Sequence, residues 1–237
     1  MRIKKILLNV VTILLFIVSI NMFSIKSEAY YELDDNLEYY SIPKGGEFIY
    51  NEFIYRVTKP VKSEKKTYAR GEVEVIGFNP EWDWGTSYSK KYISCAGFSD
   101  LEEEYDFIVV GIADNAFKGD KTIRSFSTGN YNKYIGKSAF EGCTQMKDFY
   151  ADRHSLTQIE SKAFYGCTSL KKFYVYQRVK SIDKNAFKNT KSKMKVVAYN
   201  FSSSNASKLK EKMKKSGAKK TIFKFKKTNV KRKDICL

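Results

Sequence analysis

Apolar and polar positions recur in a fixed order along the middle of this chain. Ile112-Ala-Asp-Asn-Ala-Phe117, Ile135-Gly-Lys-Ser-Ala-Phe140, Ile159-Glu-Ser-Lys-Ala-Phe164 and Ile182-Asp-Lys-Asn-Ala-Phe187 repeat one phrase, with phenylalanines 23, 24 and 23 residues apart. Ile123, Met146 and Leu170 follow six residues after the first three of these phenylalanines, and Phe126, Phe149 and Phe173 lie three further on. The unit reads I-x-x-x-A-F-x-G-C-x-x-L-x-x-F. Its period is that of a solenoid, because a unit this short cannot bury its own apolar face and must stack on its neighbours. Apolar residues at the ends of short segments predict a coil with inward corners and short strands for its straights. Ala before Phe lets coils approach while the ring fills the interior. Gly119, Gly142 and Gly166 predict the tight turn out of a short helical corner.

These motifs resemble the BspA-like, Treponema-type leucine-rich repeats of bacterial surface and secreted proteins, over about residues 105 to 200. The proline usual after the family's strand is absent from all four copies, and Phe replaces its aliphatic strand residue three times. The expected fold is a β-rich α/β solenoid, a short leucine-rich-repeat array between two caps. The resemblance implies attachment to host components, extracellular matrix or other cells, without naming a ligand.

Alternation outside the repeats predicts the caps. Residues 47 to 58 and 72 to 78 alternate apolar and polar residues around a Lys/Ser-rich turn, the pattern of an N-terminal β-hairpin cap. Ser202 to Ser204, followed by Ala206, Leu209 and Met213 on one stripe and by Gly217, predict a C-terminal cap helix. The expected organisation is residues 1–29 as signal peptide, 30–106 as β cap region, 107–200 as repeats, and 201–237 as cap helix and basic tail.

Arg2, Lys4 and Lys5 precede an apolar run from Ile6 to Phe23, and Ser27-Glu28-Ala29 offers small residues at the two positions a signal peptidase reads. Cleavage after Ala29 would release a secreted or cell-surface chain; an uncleaved anchor is the alternative, since the run is long. No other segment is apolar enough to span a bilayer, so no transmembrane segment is expected after cleavage. The whole chain carries 43 Lys and Arg against 26 Asp and Glu, a formal charge of +17.

Candidate chemistry is sparse. His154 is the only histidine, no G-x-S-x-G, phosphate loop or H-E-x-x-H occurs, and Glu102 to Glu104 read as a solvated loop, so neither catalysis nor a cofactor is expected. Four dispersed cysteines without C-x-x-C leave a metal site improbable. Cys143 and Cys167 occupy one place in adjacent repeats, within disulfide reach by coil spacing, but parallel inward side chains favour buried thiols. Cys95 and Cys236 are isolated.

Binding features remain. If Phe149 and Phe173 face the core, Asp148, Tyr150 and Asp152 point outward from one strand and Lys172, Tyr174 and Tyr176 from the next. Such a patch suits a protein or glycan ligand, although tyrosine is favoured in any strand. Trp82 and Trp84 could stack on carbohydrate or form a lid over the first coil; the lid is the expectation. From Lys208 to Lys233 there are thirteen basic residues against the single acid Glu211. Lys219, Lys220, Lys224, Lys226, Lys227, Lys231, Arg232 and Lys233 could hold an anionic envelope polymer through screened contacts without specific nucleic-acid recognition, or simply decorate a solvated cap. The two readings place binding at separate sites, one on the repeat face and one beyond the final repeat.

Overall fold

Each phrase folds as a corner between two short strands. The computed structural model describes residues 30–32, 42–61, 70–82, 92–94, 107–151, 155–176 and 178–227. The apolar run of residues 1–29, Trp84, Cys95, Glu102 to Glu104, Asp152, His154, Lys231, Arg232, Lys233 and Cys236 lie outside the described residues.

Strands before the phrases form one sheet, and strands after them form another. The first sheet contains β1 (Tyr30–Glu32), β2 (Glu47–Tyr50), β3 (Phe53–Lys59), β4 (Gly71–Phe78), β6 (Phe107–Ile112), β8 (Tyr134–Ile135), β10 (Gln158–Ile159) and β12 (Ser181–Ile182), in that order. The second contains β5 (Tyr92–Ser94), β7 (Ser125–Ser127), β9 (Asp148–Tyr150), β11 (Lys172–Tyr176), β13 (Lys195–Tyr199) and β14 (Ile222–Lys226). Among the described residues only the β2/β3 and β3/β4 pairs are antiparallel. The fold is a strand-rich leucine-rich-repeat solenoid with an N-terminal hairpin region and one C-terminal helix, α1 (Ser203–Lys215).

Between the sheets run two interlocked columns of phenylalanine. Phe117, Phe140, Phe164 and Phe187 stack at 5.3, 5.4 and 5.1 Å between ring centroids. Phe126, Phe149 and Phe173 stack at 6.0 and 5.4 Å. Members of one column meet the other edge to face, as Phe149 does Phe164 at 4.8 Å. Offset stacking within a column and edge contacts between columns satisfy the ring quadrupoles while filling the interior. Ala139, Ala163 and Ala186 are fully buried beside them, and their carbonyls accept from the phenylalanine N–H of the preceding coil at 2.8 Å each.

The corners are runs of hydrogen-bonded turns rather than the short helices expected. The residue before each Ala is left-handed, with φ between 57 and 65° at Asn115, Ser138, Lys162 and Asn185. That conformation interrupts any helix, and only the two asparagines favour it intrinsically. Gly119, Gly142 and Gly166 take φ of 79, 75 and 73°, and in the fourth copy Asn189 substitutes with 61°. The Cys143 and Cys167 thiols are free and buried. They donate to Phe117 O and Phe140 O at 3.0 and 3.1 Å, so both sulfurs are aimed at the coil before their own.

Residues 47 to 58 are two strands, not one arm of a hairpin. Asn51, at φ 50°, and Glu52 form a two-residue turn that pairs Tyr50 with Phe53. The intended hairpin then forms between β3 and β4. β4 pairs in parallel with β6, and Ala113 N–H donates to Val75 O as Gly136 N–H donates to Ile112 O, so the coil ladder already begins at Val75. Trp82 is exposed instead of packed as a lid.

At the other end Ser202 caps α1 by accepting from Asn205 N–H at 3.3 Å, while Leu209 and Met213 are buried. Ser216 O accepts from Phe187 N–H at 3.0 Å, the place taken by alanine carbonyls in earlier coils. Gly217, at φ 93°, ends the helix, and its missing Cβ would lie 2.9 Å from Lys188 Cβ. The helix and β14 therefore form one further coil.

Candidate functional site

Strand alternation in the second sheet sorts every residue to one of two faces. Ile93, Phe126, Phe149, Phe173, Val196 and Phe223 share one inward register position. The position before it carries Tyr92, Ser125, Asp148, Lys172, Lys195 and Ile222 on the outward face. The position after it carries Ser127, Tyr150, Tyr174, Val197 and Lys224, and two residues later come Tyr176, Tyr199 and Lys226.

Of the candidates read from sequence, Asp148, Tyr150, Lys172, Tyr174 and Tyr176 thus lie together on this face. Tyr150 and Tyr174 stack at 4.3 Å and 12°. Tyr176 stacks at 4.9 Å on Tyr199, a residue the sequence reading missed although Lys195-Val-Val-Ala-Tyr199 carries the same alternation. Stacked rings use their flat faces on each other. Burial, then Tyr174 and Asp148, push the Tyr150 hydroxyl up to about 12, and burial also raises Tyr199. These phenols stay protonated donors at neutral pH.

The described part of the basic tail, up to residue 227, does not lie apart from this face. β14 pairs in register with β13, which places Lys224 beside Val197 and Lys226 beside Tyr199. The Lys226 ammonium sits 5.9 Å from the Tyr199 ring centroid. Lys195, also missed from sequence, is held below the ordinary lysine range chiefly by the adjacent Lys224, with Lys172 and Lys226 adding repulsion. The outward positions of β11, β13 and β14 hold Lys172, Lys195, Lys224 and Lys226 and no carboxylate. Lys219, Lys220 and Lys227 are exposed at either end of β14.

The first sheet handles charge differently. Arg56 pairs with Glu47 at 2.8 Å and Glu74 at 3.2 Å, Lys133 pairs with Glu72 at 3.1 Å, and Tyr134 donates to Glu74 at 2.8 Å. Among the described residues no carboxylate lies within ion-pair distance of the four lysines on the second sheet. A third basic region is the cleft of about 560 Å³ between α1 and the turn before β12, where Arg178, Lys180, Lys208 and Lys212 surround Val179 and Leu209. Among the described residues no group of three or more metal-ligating side chains forms a cluster, and no helix is long and apolar enough to cross a membrane.

Residues 104–228 match the family described as the BspA type leucine rich repeat region (6 copies). A leucine-rich repeat protein from Bacteroides capillosus, solved as a crystal structure, is similar at 18% identity over 61% of this chain and 91% of its own, with a TM-score of 0.45. The leucine rich repeat protein of T. pallidum is similar at 18% identity over 61% of this chain and 68% of its own, with a TM-score of 0.36. None of the curated proteins matches the sequence.

Proposed function

The chain belongs to the BspA-type leucine-rich-repeat family, and from that premise we propose that it is a secreted or cell-surface adhesion protein without enzymatic activity. Proteins of this repeat class are generally protein-binding. The site is the outward face of the second sheet, and its partner is a protein or a glycan. One observation carries this reading: stacked tyrosines and lysines that make no ion pair among the described residues share a single register-locked face, with Asp148 as its one carboxylate beside Lys172, whereas cations on the other sheet are paired within the molecule. A face rich in donors and poor in acceptors suits a partner rich in acceptors.

The test is a pull-down with the chain from Tyr30 onward against wall fractions and matrix proteins. Changing Tyr150 and Tyr174 to Ala should weaken capture by about 1 kcal/mol or more, the scale of an anchor residue, while the loss of their stacking lowers stability by only about 0.5 to 1.5 kcal/mol and leaves the chain folded. A second reading makes the chain an envelope protein retained by an anionic polymer, favoured by the exposure of Lys219, Lys220, Lys224, Lys226 and Lys227. Capture that survives the tyrosine changes but disappears at high salt would select that reading.

A further inference from the structure

β14 ends the second sheet among the described residues. Ile222 N–H donates to Met194 O, and Lys226 O accepts from Asn200 N–H, so the backbone groups of Ile222, Lys224 and Lys226 face β13. By alternation those of Phe223 and Phe225 face the open edge. The side chains along this edge are mixed: Ile222 and Phe225 are 48% and 38% exposed, and Lys224 and Lys226 stand between and beyond the phenylalanines. Behind them a cavity of about 470 Å³ is lined by Met213, Ala218 and Phe223, with Lys210, Lys214 and Lys220 also lining it. Thr221 also lines it, and its hydroxyl is buried without a hydrogen-bond partner.

We propose that β14 takes an added β-strand from a different protein, a segment in which apolar and acidic residues alternate. Main-chain bonds to Phe223 and Phe225 would supply affinity, apolar side chains would lie beside those two rings, and carboxylates would lie beside Lys224 and Lys226. Charge selects this occupant over the two others available. A second copy pairing through β14 would set lysine against lysine, and the chain's own residues 228–237 carry Lys231, Arg232 and Lys233 against Asp234. Lysine on an open edge discourages self-pairing, and the same residues leave the edge open to an acidic strand. The proposal shares Lys224 and Lys226 with the tyrosine face but does not depend on the tyrosines.

The experiment titrates the full chain into a fluorescent heptapeptide, acetyl-Ser-Val-Glu-Val-Glu-Val-Ser, and follows its anisotropy. Three control peptides replace Glu by Lys, scramble the order at constant composition, or N-methylate alternate backbone nitrogens. The alternating acidic peptide should bind about tenfold or more tightly than each control. Lys224→Glu with Lys226→Glu should invert the preference toward the lysine peptide, with circular dichroism checking that the exposed changes leave the fold intact. The Tyr150→Ala, Tyr174→Ala chain should bind the peptide normally. Equal binding of ordered and scrambled acidic peptides would reduce the edge to non-specific charge and overturn the proposal. So would no binding at about 1 mM peptide, or concentration-dependent dimers abolished by the β14 substitutions.

Discussion

Replacing Phe164 by Ala removes the ring that joins the two phenylalanine columns. Phe164 is fully buried, stacks on Phe140 at 5.4 Å and Phe187 at 5.1 Å, and meets Phe149 and Phe173 edge to face at 4.8 and 5.5 Å. Truncating a buried phenylalanine costs about 3 to 5 kcal/mol in transfer and cavity terms. Four aromatic neighbours place this site toward the upper end, because each such pair contributes about 0.5 to 1.5 kcal/mol beyond burial and the pairs overlap. Neighbouring coils are bonded by the Phe164 N–H to Ala186 O and the Phe140 N–H to Ala163 O, so a cavity here weakens two coil junctions. With a urea slope of about 2 kcal/mol/M, the midpoint should fall by about 2 M as one transition, seen alike by far- and near-ultraviolet circular dichroism. A loss below about 1 kcal/mol, the scale of a surface change, would refute the assignment of the registered phenylalanines as core. Two resolved transitions would refute the single cooperative array.

Burial raises the Cys143 thiol to about 12 and raises Cys167 as well. A raised folded value means the neutral form is the stabilised one, so this contribution is complete below about pH 9 and is lost as pH climbs toward about 12. Urea midpoints should therefore show an alkaline decline that Cys143→Ala reduces; an identical decline in the variant would assign it to other groups. Native Cys143 and Cys167 should resist alkylation at pH 8 and react once urea unfolds the chain, whereas rapid native labelling would contradict their burial. Cleavage after Ala29 predicts a mature N-terminus at Tyr30, read by N-terminal sequencing of the exported protein; recovery of the intact chain in membranes would select the anchor.

The four central coils were legible because the small and apolar positions kept their residue type in copy after copy and the left-handed glycine recurred in three of the four, with Asn189 in its place in the last. What escaped was structure made by stacking alone. Val75 takes the isoleucine position and Ile93 the phenylalanine position in a coil with no recognisable phrase, and pairing with β6 and β7 identifies them. Ser138 and Lys162 adopt a left-handed backbone that neither residue prefers, imposed by the hydrogen bonds their coil shares with the next: Ser138 N–H to Ser161 O, and Phe164 N–H to Ala186 O two residues on. The direct repetition of Glu-Phe-Ile-Tyr at residues 47–50 and 52–55 was a readable sign of two paired strands. Reading residues 47 to 58 as one continuous strand hid the turn at Asn51 and Glu52.

The tail was misplaced for a related reason. Its lysines are conspicuous in composition, but what decides their position is the inward pair Phe223 and Phe225, which continue the rows begun by Val196 and Ala198 and so commit Lys224 and Lys226 to the tyrosine face. Because β14 belongs to the sheet, removing residues 219 to 237 would not test charge alone. Such a deletion strips the strand that covers β13 along with the lysines, and lost binding could then come from a disordered face. Substituting lysines in place changes charge while leaving the phenylalanine rows intact, and salt dependence measured on those variants separates attraction from shape. The close approach of Lys195 to Lys224 gives that separation physical content. Lys195, Lys224 and Lys226, which make no ion pair among the described residues, repel one another in the free protein, so an anionic partner gains from relieving that repulsion as well as from its own contacts, and its binding should be tightest where salt screens least.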